Sequence, residues 1–464
     1  MRPFPFRKSA ADTTNRKIFR ASLIVGSFAL AARLAGMLKE LIVARSFGRG
    51  DEVDAFLIAF LLPSFALNIG MNALGYALVP VYIEIRQRDG NDAANQLFSN
   101  VLVLGTGAII CVAGLFGLLA PFFLPVLGHS FSPEKLELTR HLLYVLLPWI
   151  IIGGIATLAT ALLNANEKFA LPALVPLFTP LVTICLVLVA SSRWGVFTLT
   201  TGTVCGSLLE VAVLLYLLRK QGVRINFRWK GAGQHIQGVL AQYAPMLVGG
   251  ILMGGTSVVD QAMAAMLPTG NVAALGYANK IIGAILSLST LALGTATLPY
   301  FAQMVAANDW AGCRHTIKRY SLLLAGVTIP FTLLLIVFSR SIVRTLYQRG
   351  AFTPADTELV SWVQVCYAMQ IPFYVSSMIF VRFITAVRRN DILMYASAIN
   401  LVLDIVLNLI LMRVWRVAGI ALSTSIMYAV SFLIISVWTV RFLAQKHTHS
   451  LSQIQPEPAD KTCV

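Results

Sequence analysis

The amino-acid sequence predicts an all-α polytopic membrane protein in which two six-helix lobes, related as parallel repeats, surround a central cavity. Three observations lead there. The 464 residues are 57% hydrophobic and only 12% charged, with a mean hydropathy of +0.77, a composition outside the range of soluble globular domains. The apolar residues fall into about twelve runs, each near the length needed to cross a ~30 Å hydrocarbon core. The end of the second run, Ala73 to Pro80 (ALGYALVP), recurs at the end of the eighth as Ala292 to Pro299 (ALGTATLP). An even number of spans in each copy gives both copies one orientation, so the repeat axis runs along the membrane normal.

In chain order, a basic segment at 1–20 (Arg2, Arg7, Lys8, Arg16, Lys17, Arg20) leads into the first span at 21–46. Ala29-Leu30-Ala31 imitates a signal-peptidase site, but the apolar pattern continues past it to Val43, so the segment reads as a retained span. The second span, 54–83, contains Pro63 and Gly70; the third is 99–127. The fourth, 138–163, carries Pro148 and ends in the polar loop Asn164 to Lys168, which pairs with Pro372 and the loop Thr385 to Arg389 of the tenth. The fifth, 169–191, holds Pro176 and Pro180, and the sixth is 195–218. These form the first lobe, 21–218. A basic linker at 219–236 (Arg219, Lys220, Arg224, Arg228, Lys230) separates it from the second lobe, 237–443. That lobe contains spans at 237–267, 272–305, 317–346, 358–386, 391–412 and 416–443, with Pro245, Gly254, Gly255 and Pro330 as further kink points. Residues 444–464, with Gln-Pro-Glu-Pro and no apolar face, read as a disordered tail.

The net charge of +16 and pI near 9.8 are a topology signal. Placing both termini in the cytoplasm of a bacterial plasma (inner) membrane puts the basic N-terminal segment and linker on the cytoplasmic side, as the positive-inside rule requires. Arg340, Arg344 and Arg349 fall on the other side and point to an interfacial or cavity-lining turn. Nothing calls for nucleic acid. No Walker loop, zinc-protease motif or nucleophile elbow is present, and almost no soluble segment exists to bind a nucleotide sugar, so the chain reads as non-enzymatic. The six cysteines match no metal spacing.

Function is signalled by cations inside the spans: Arg33, Lys39, Lys280 and Arg382. A charge at membrane depth costs about 2.5 to 3.5 kcal/mol on insertion scales, so it faces a wet cavity or a partner. Arg33 and Lys39 stand ~9 Å apart along a helix but about 120° apart around it, so they border one cavity without sharing one ligand oxygen. Glu40 and Asp54 either neutralise such bases across helices or belong to the site.

Several motifs carry a resemblance. Arg33-Leu-Ala-Gly with Lys39-Glu40, Ala44-Arg45-Ser-Phe-Gly48, Asp54-Ala-Phe and Pro63 resemble the opening of the MviN/MurJ family of lipid II flippases, in the MOP exporter superfamily that also holds the MATE transporters. Gly276-Tyr277-Ala278-Asn279-Lys280, Leu298-Pro299, Tyr347 to Thr353 and Gly419 to Ser423 extend it across 21–443. The resemblance implies a V-shaped, two-lobed transporter whose cationic cavity takes the diphosphate and sugar of a polyprenyl-linked glycan. By motif position, Arg33, Lys39 and Lys280 correspond to the family's cavity cations and Asp54 to its essential acid; Asn68 and Asn279 join them as candidate substrate contacts. Lys39 and Lys280 stand where better-known members have Arg, which keeps charge and loses the bidentate fork. Leu67-Asn68 replaces a basic pair, and the chain reads as a shorter, twelve-span member.

A second constellation is Asn400 and Asp404, on one helix face at i, i+4, with Asp260 and Thr424 on other spans. Oxygen ligands suit a hard monovalent cation, and some members of the resembled family have a sodium site on these helices. The other reading is that Asp404 hydrogen-bonds a neighbouring helix. No other cofactor is expected. The expected function is inner-to-outer flipping of a lipid-linked peptidoglycan precursor, with an exopolysaccharide or O-antigen repeat-unit flippase as the alternative. A multidrug exporter, and a scaffold within a cell-wall or polysaccharide synthesis complex, are the rivals. The expected partners are the lipid-linked glycan, the bilayer and such synthesis proteins.

Overall fold

The computed structural model describes residues 10–223, 234–294 and 297–452. Outside them lie the start of the basic N-terminal segment (1–9), most of the basic linker (224–233), Thr295 and Ala296 of the repeated motif, and the end of the tail (453–464). Regular structure among the described residues is entirely helical, as the composition predicts. Ten helical stretches among them are long and apolar enough to cross a membrane. The chain divides into two compact units: the first is the chain up to Gly254 with Pro268–Gly270 and Arg349–Thr353, and the second is Gly255–Leu267, Asn271–Gln348 and Pro354 onward.

The first unit contains α1 (Ala10–Phe47), α2 (Asp51–Ala66), α3 (Asn72–Arg88), α4 (Asn91–Leu127), α5 (Pro133–Ala165), α6 (Ala170–Leu174), α7 (Phe178–Trp194), α8 (Phe197–Lys220) and most of α9 (Gln234–Ala264). Its core is a continuous set of buried apolar side chains, among them Leu74, Phe98, Leu102, Ile150, Leu158 and Leu214. The expected second span is one crossing, Asp51–Arg88, with a wide π-turn at Leu67–Met71 joining α2 to α3. Two local devices accompany it. Pro63 lacks an N–H four residues upstream, and the amides of Asn68 and Asn72 donate to the carbonyls of Ser64 and Asn68, both at 2.8 Å. The side chains thus satisfy carbonyls at the widened turn, where π-bulges commonly mark functional positions.

The second unit contains the rest of α9, then α10 (Asn271–Gly294), α11 (Thr297–Ala306), α12 (Trp310–Val337), α13 (Ser339–Tyr347), α14 (Pro354–Ala368), α15 (Ile371–Ala386) and α16 (Asn390–Ser452). Its core gathers Phe301, Ile317, Ile379, Phe380, Phe383 and Ile435. The expected eighth span covers α10 and α11, which lie on either side of the undescribed Thr295 and Ala296. The expected tenth is divided between α14 and α15, where Pro372 sits in the opening turn of α15. The eleventh and twelfth spans are both in α16, broken at Arg416, whose φ of 49° and ψ of −130° are non-helical. Gly419 packs so close to the Leu411 carbonyl that a Cβ there would collide with it, which is the signature of a chain reversing tightly on itself.

Arg340, Arg344 and Arg349, which run against the charge bias, lie on or just after α13. This short helix is sharply amphipathic: Ser339, Val343 and Tyr347 are buried while Arg340 and Arg344 are exposed. An interfacial helix of this kind places its bases in water and its apolar face on the protein.

Candidate functional site

The cations of the first unit lie on α1. Arg33 is exposed and among the described residues has no ion-pair partner. Lys39 pairs with its neighbour Glu40 at 3.1 Å, the two side chains retaining 24% and 16% of their exposure. Asn68 is exposed at the π-turn of the next span. In the second unit, α10 buries almost every residue from Asn271 to Ala278 and then exposes Asn279 and Lys280 together. Each unit therefore presents a cation on an accessible helix face, on α1 in the first unit and on the membrane-spanning α10 in the second. In α10 the preceding residues pack while the cation stands exposed.

Asp54 has a different environment. Its side chain is 1% exposed, and one oxygen is shared by the Lys135 ammonium at 3.0 Å and the backbone N–H of Gly270 at 2.6 Å. Lys135 also meets Asp51 at 2.7 Å and lies 3.9 Å from the centroid of the Phe131 ring. Asp51 in turn accepts a hydrogen bond from the Thr269 hydroxyl at 2.9 Å. Gly270 adopts φ +85°, and a Cβ there would come within 2.6 Å of the Arg49 carbonyl, so only glycine allows this approach. Nearby, the Ala351 N–H donates to the Arg45 carbonyl at 2.9 Å. The turns 268–270 and 349–353 are thus fastened to the α1–α2 corner within the first unit, and Asp54 is the acid that fastens one of them. Lys135, which sequence reading passed over, is the base.

The third cluster lies inside the second unit. Asp260 of α9 and Asp404 of α16 are buried, and the Asn408 amide donates to both, at 2.8 Å and 3.4 Å. Thr424 donates to the other Asp260 oxygen at 3.0 Å. Ser423 donates to the Asn408 carbonyl oxygen, which fixes the amide's orientation. The structure so brings Asp260, Asp404 and Thr424 together as expected, and adds Asn408 and Ser423. Asn400 is linked instead to Ser431 at 3.0 Å. Two oxygens in this region, Asp404 Oδ1 and Asn400 Oδ1, are buried without a hydrogen-bond partner. Buried acceptors of this kind are expensive unless something electropositive meets them. Carboxylate, amide and hydroxyl oxygens are the donor set of a hard cation, so the residues fit sodium.

Ten helical stretches among the described residues that are long and apolar enough to cross a membrane define a multi-pass membrane protein. The fold agrees: a solved lipid II flippase MurJ in an inward closed conformation matches with a TM-score of 0.77 at 22% identity, covering 94% of each chain. An inward-facing MATE-family multidrug resistance transporter matches with a TM-score of 0.73 at 14% identity, over 92% of this chain and 99% of that one. The model of the lipid II flippase MurJ family matches residues 43–454. The chain belongs to that family. Its relatives include a probable lipid II flippase MurJ of Vibrio cholerae, 25% identical over 89% of this chain and 81% of the relative. The lipid II flippase MurJ of Burkholderia cenocepacia is 26% identical over 76% and 70%.

Proposed function

We propose that this protein is a flippase that moves a polyprenyl-diphosphate-linked glycan of the lipid II type from the inner to the outer leaflet, and that it is not an enzyme. Membership of the MurJ family across 43–454 carries this reading. The residues support it chemically. Arg33, Lys39 and Lys280 are each suited to donate charge-assisted hydrogen bonds to phosphate, and such bonds are roughly twice as strong as neutral ones. The same cations disfavour the organic cations that a multidrug exporter takes. Both termini are assigned to the cytoplasmic side on the charge bias. The direct test is complementation: expression of this chain in a strain depleted of its own lipid II flippase is expected to restore growth and cell shape. Failure, with the protein present in the membrane at normal level, would remove the substrate assignment.

Alternating access supplies the route. A membrane potential contributes about 2.3 kcal/mol per charge per 100 mV, enough to bias a cycle in which charged side chains move. Sodium, when bound, supplies a second gradient, and Asp260, Asn400, Asp404 and Thr424 would hold it. The unpartnered oxygens of Asn400 and Asp404 support this assignment. Sodium chloride is accordingly expected to raise the thermal midpoint of the purified protein above that in choline chloride, by mass action on the folded state. Asp404→Asn should abolish the difference while leaving the protein folded. Equal midpoints in the two salts for the wild type would dismiss the ion.

A further inference from the structure

Of the cations found within spans, Arg382 is the one that flipping leaves without a task. It lies on α15, half-buried, and among the described residues makes no hydrogen bond or ion pair. One turn along the same helix, Ile379 walls a cavity of about 190 Å³ bounded by α11 and α12. The cavity is graded. Phe301 and Ile379, at 2% and 1% exposure, form its apolar interior, whereas Tyr300 and Tyr320, at 64% and 45%, are open to the surroundings. Thr316 adds a hydroxyl to the wall. Arg319 is exposed, next to Tyr320 in sequence and one helical turn from Thr316, and has no partner among the described residues. All of these residues belong to the second unit.

The combination is specific. An apolar cavity of about 150 Å³ takes a benzene ring, so this one has room for several methylenes, and neither its size nor its walls suit a diphosphate sugar. Tyrosines at the mouth are the side chains that favour the boundary between hydrocarbon and headgroups. The end of α12 that carries Arg314, Lys318 and Arg319 is the end that the charge bias assigns to the cytoplasm. Basic pockets between spanning helices on that side are suited to acidic lipid headgroups.

We propose that this cavity is a binding site for an anionic phospholipid of the cytoplasmic leaflet, with one acyl chain against Phe301 and Ile379 and the phosphate held by Arg319 and Arg382. The lipid is a constituent of the bilayer, so the site stands apart from the transported substrate. Occupancy would tie α11, α12 and α15 together at their cytoplasmic ends.

Native mass spectrometry of the full chain, released from detergent with equal amounts of palmitoyl-oleoyl phosphatidylglycerol and phosphatidylcholine, tests the site. One phosphatidylglycerol should be retained in preference to phosphatidylcholine, and each of Arg319→Gln and Arg382→Gln should reduce that preference about five-fold, the effect of about 1 kcal/mol per basic residue. Thr316→Phe, which fills the cavity without altering charge, should lower retention of both lipids. If that variant is not recovered folded, Tyr300→Ala at the exposed mouth should lower retention likewise. Equal retention of the two lipids by the wild type, or an unchanged preference in Arg319→Gln/Arg382→Gln, overturns the proposal. Displacement of phosphatidylglycerol by undecaprenyl diphosphate in the wild type but not in Thr316→Phe also overturns it, since the cavity would then belong to the substrate's tail.

Discussion

Lys135→Met is expected to destabilise the protein more than any other single change at a residue outside the transport path, by about 3 to 5 kcal/mol, the usual cost of removing one partner from a buried ion pair. The reason is geometric. Lys135 is 4% exposed and Asp54 1%, and the two meet at 3.0 Å. Without the ammonium, Asp54 keeps the Gly270 N–H but loses the cation that neutralises it, and a buried carboxylate stripped of its counter-charge is costly. Asp54→Asn alone should be milder, because Lys135 retains Asp51 at 2.7 Å. The informative variant is Lys135→Met/Asp54→Asn. Removing both charges should restore a large part of the loss, since a neutral pair of similar volume substitutes well for a buried salt bridge. Thermal unfolding in detergent reads all three. If the double variant is no more stable than Lys135→Met, the two residues are not coupled and the fastening assigned to them is wrong.

Why Lys135 escaped sequence reading is instructive. Ser132-Pro133-Glu134 is a strong helix-start signal, and the structure uses it as one: Ser132 caps the helix by accepting from the Lys135 N–H at 3.3 Å, with Pro133 in the first turn. A lysine in the turn after such a cap looks solvated. Yet it is also wrong in sign for the positive end of a helix dipole, and that misplacement was the available clue to a fixed acidic partner. The partner is 81 positions away in the chain, a distance no local pattern spans. Asn408 differs, because it continues the Asn400, Asp404 spacing by another four residues and could have been added to the cluster by periodicity alone. Most of the spans were legible, since hydropathy decides them, though the expected first one, on α1, is not among the ten stretches apolar enough to cross. Their interruptions were less so: Pro372 marked the start of α15, but the π-turn at Leu67–Met71 and the reversal at Arg416 depend on side-chain amides and a glycine contact that become specific only when the helices pack.

The cations of the two units should fail together and be rescued differently. Arg33→Ala and Lys280→Ala are each expected to abolish complementation while leaving the protein in the membrane. The first residue is exposed on α1 and the second on α10, so neither truncation opens a cavity in a packed core. A hydrogen bond to a charged group contributes about 1.5 to 3 kcal/mol, or roughly 10- to 150-fold in affinity for the diphosphate. Lys280→Arg should retain activity, because a point charge already serves at this position and a guanidinium supplies the same charge with more donors. Lys39→Ala has a second consequence. Glu40 stands 3.1 Å from Lys39, and removing the lysine takes one counter-charge from that acid, so Lys39→Ala/Glu40→Gln should recover part of what Lys39→Ala loses. The readout is growth of a flippase-depleted strain against membrane protein level. Full activity of Lys280→Ala, or loss of activity only through disappearance of the protein, would end the case for Lys280 as an anion-binding residue. Two charges that merely hold helices together would respond to truncation in stability first and in transport only afterwards, and the order of those two effects separates a substrate site from a scaffold.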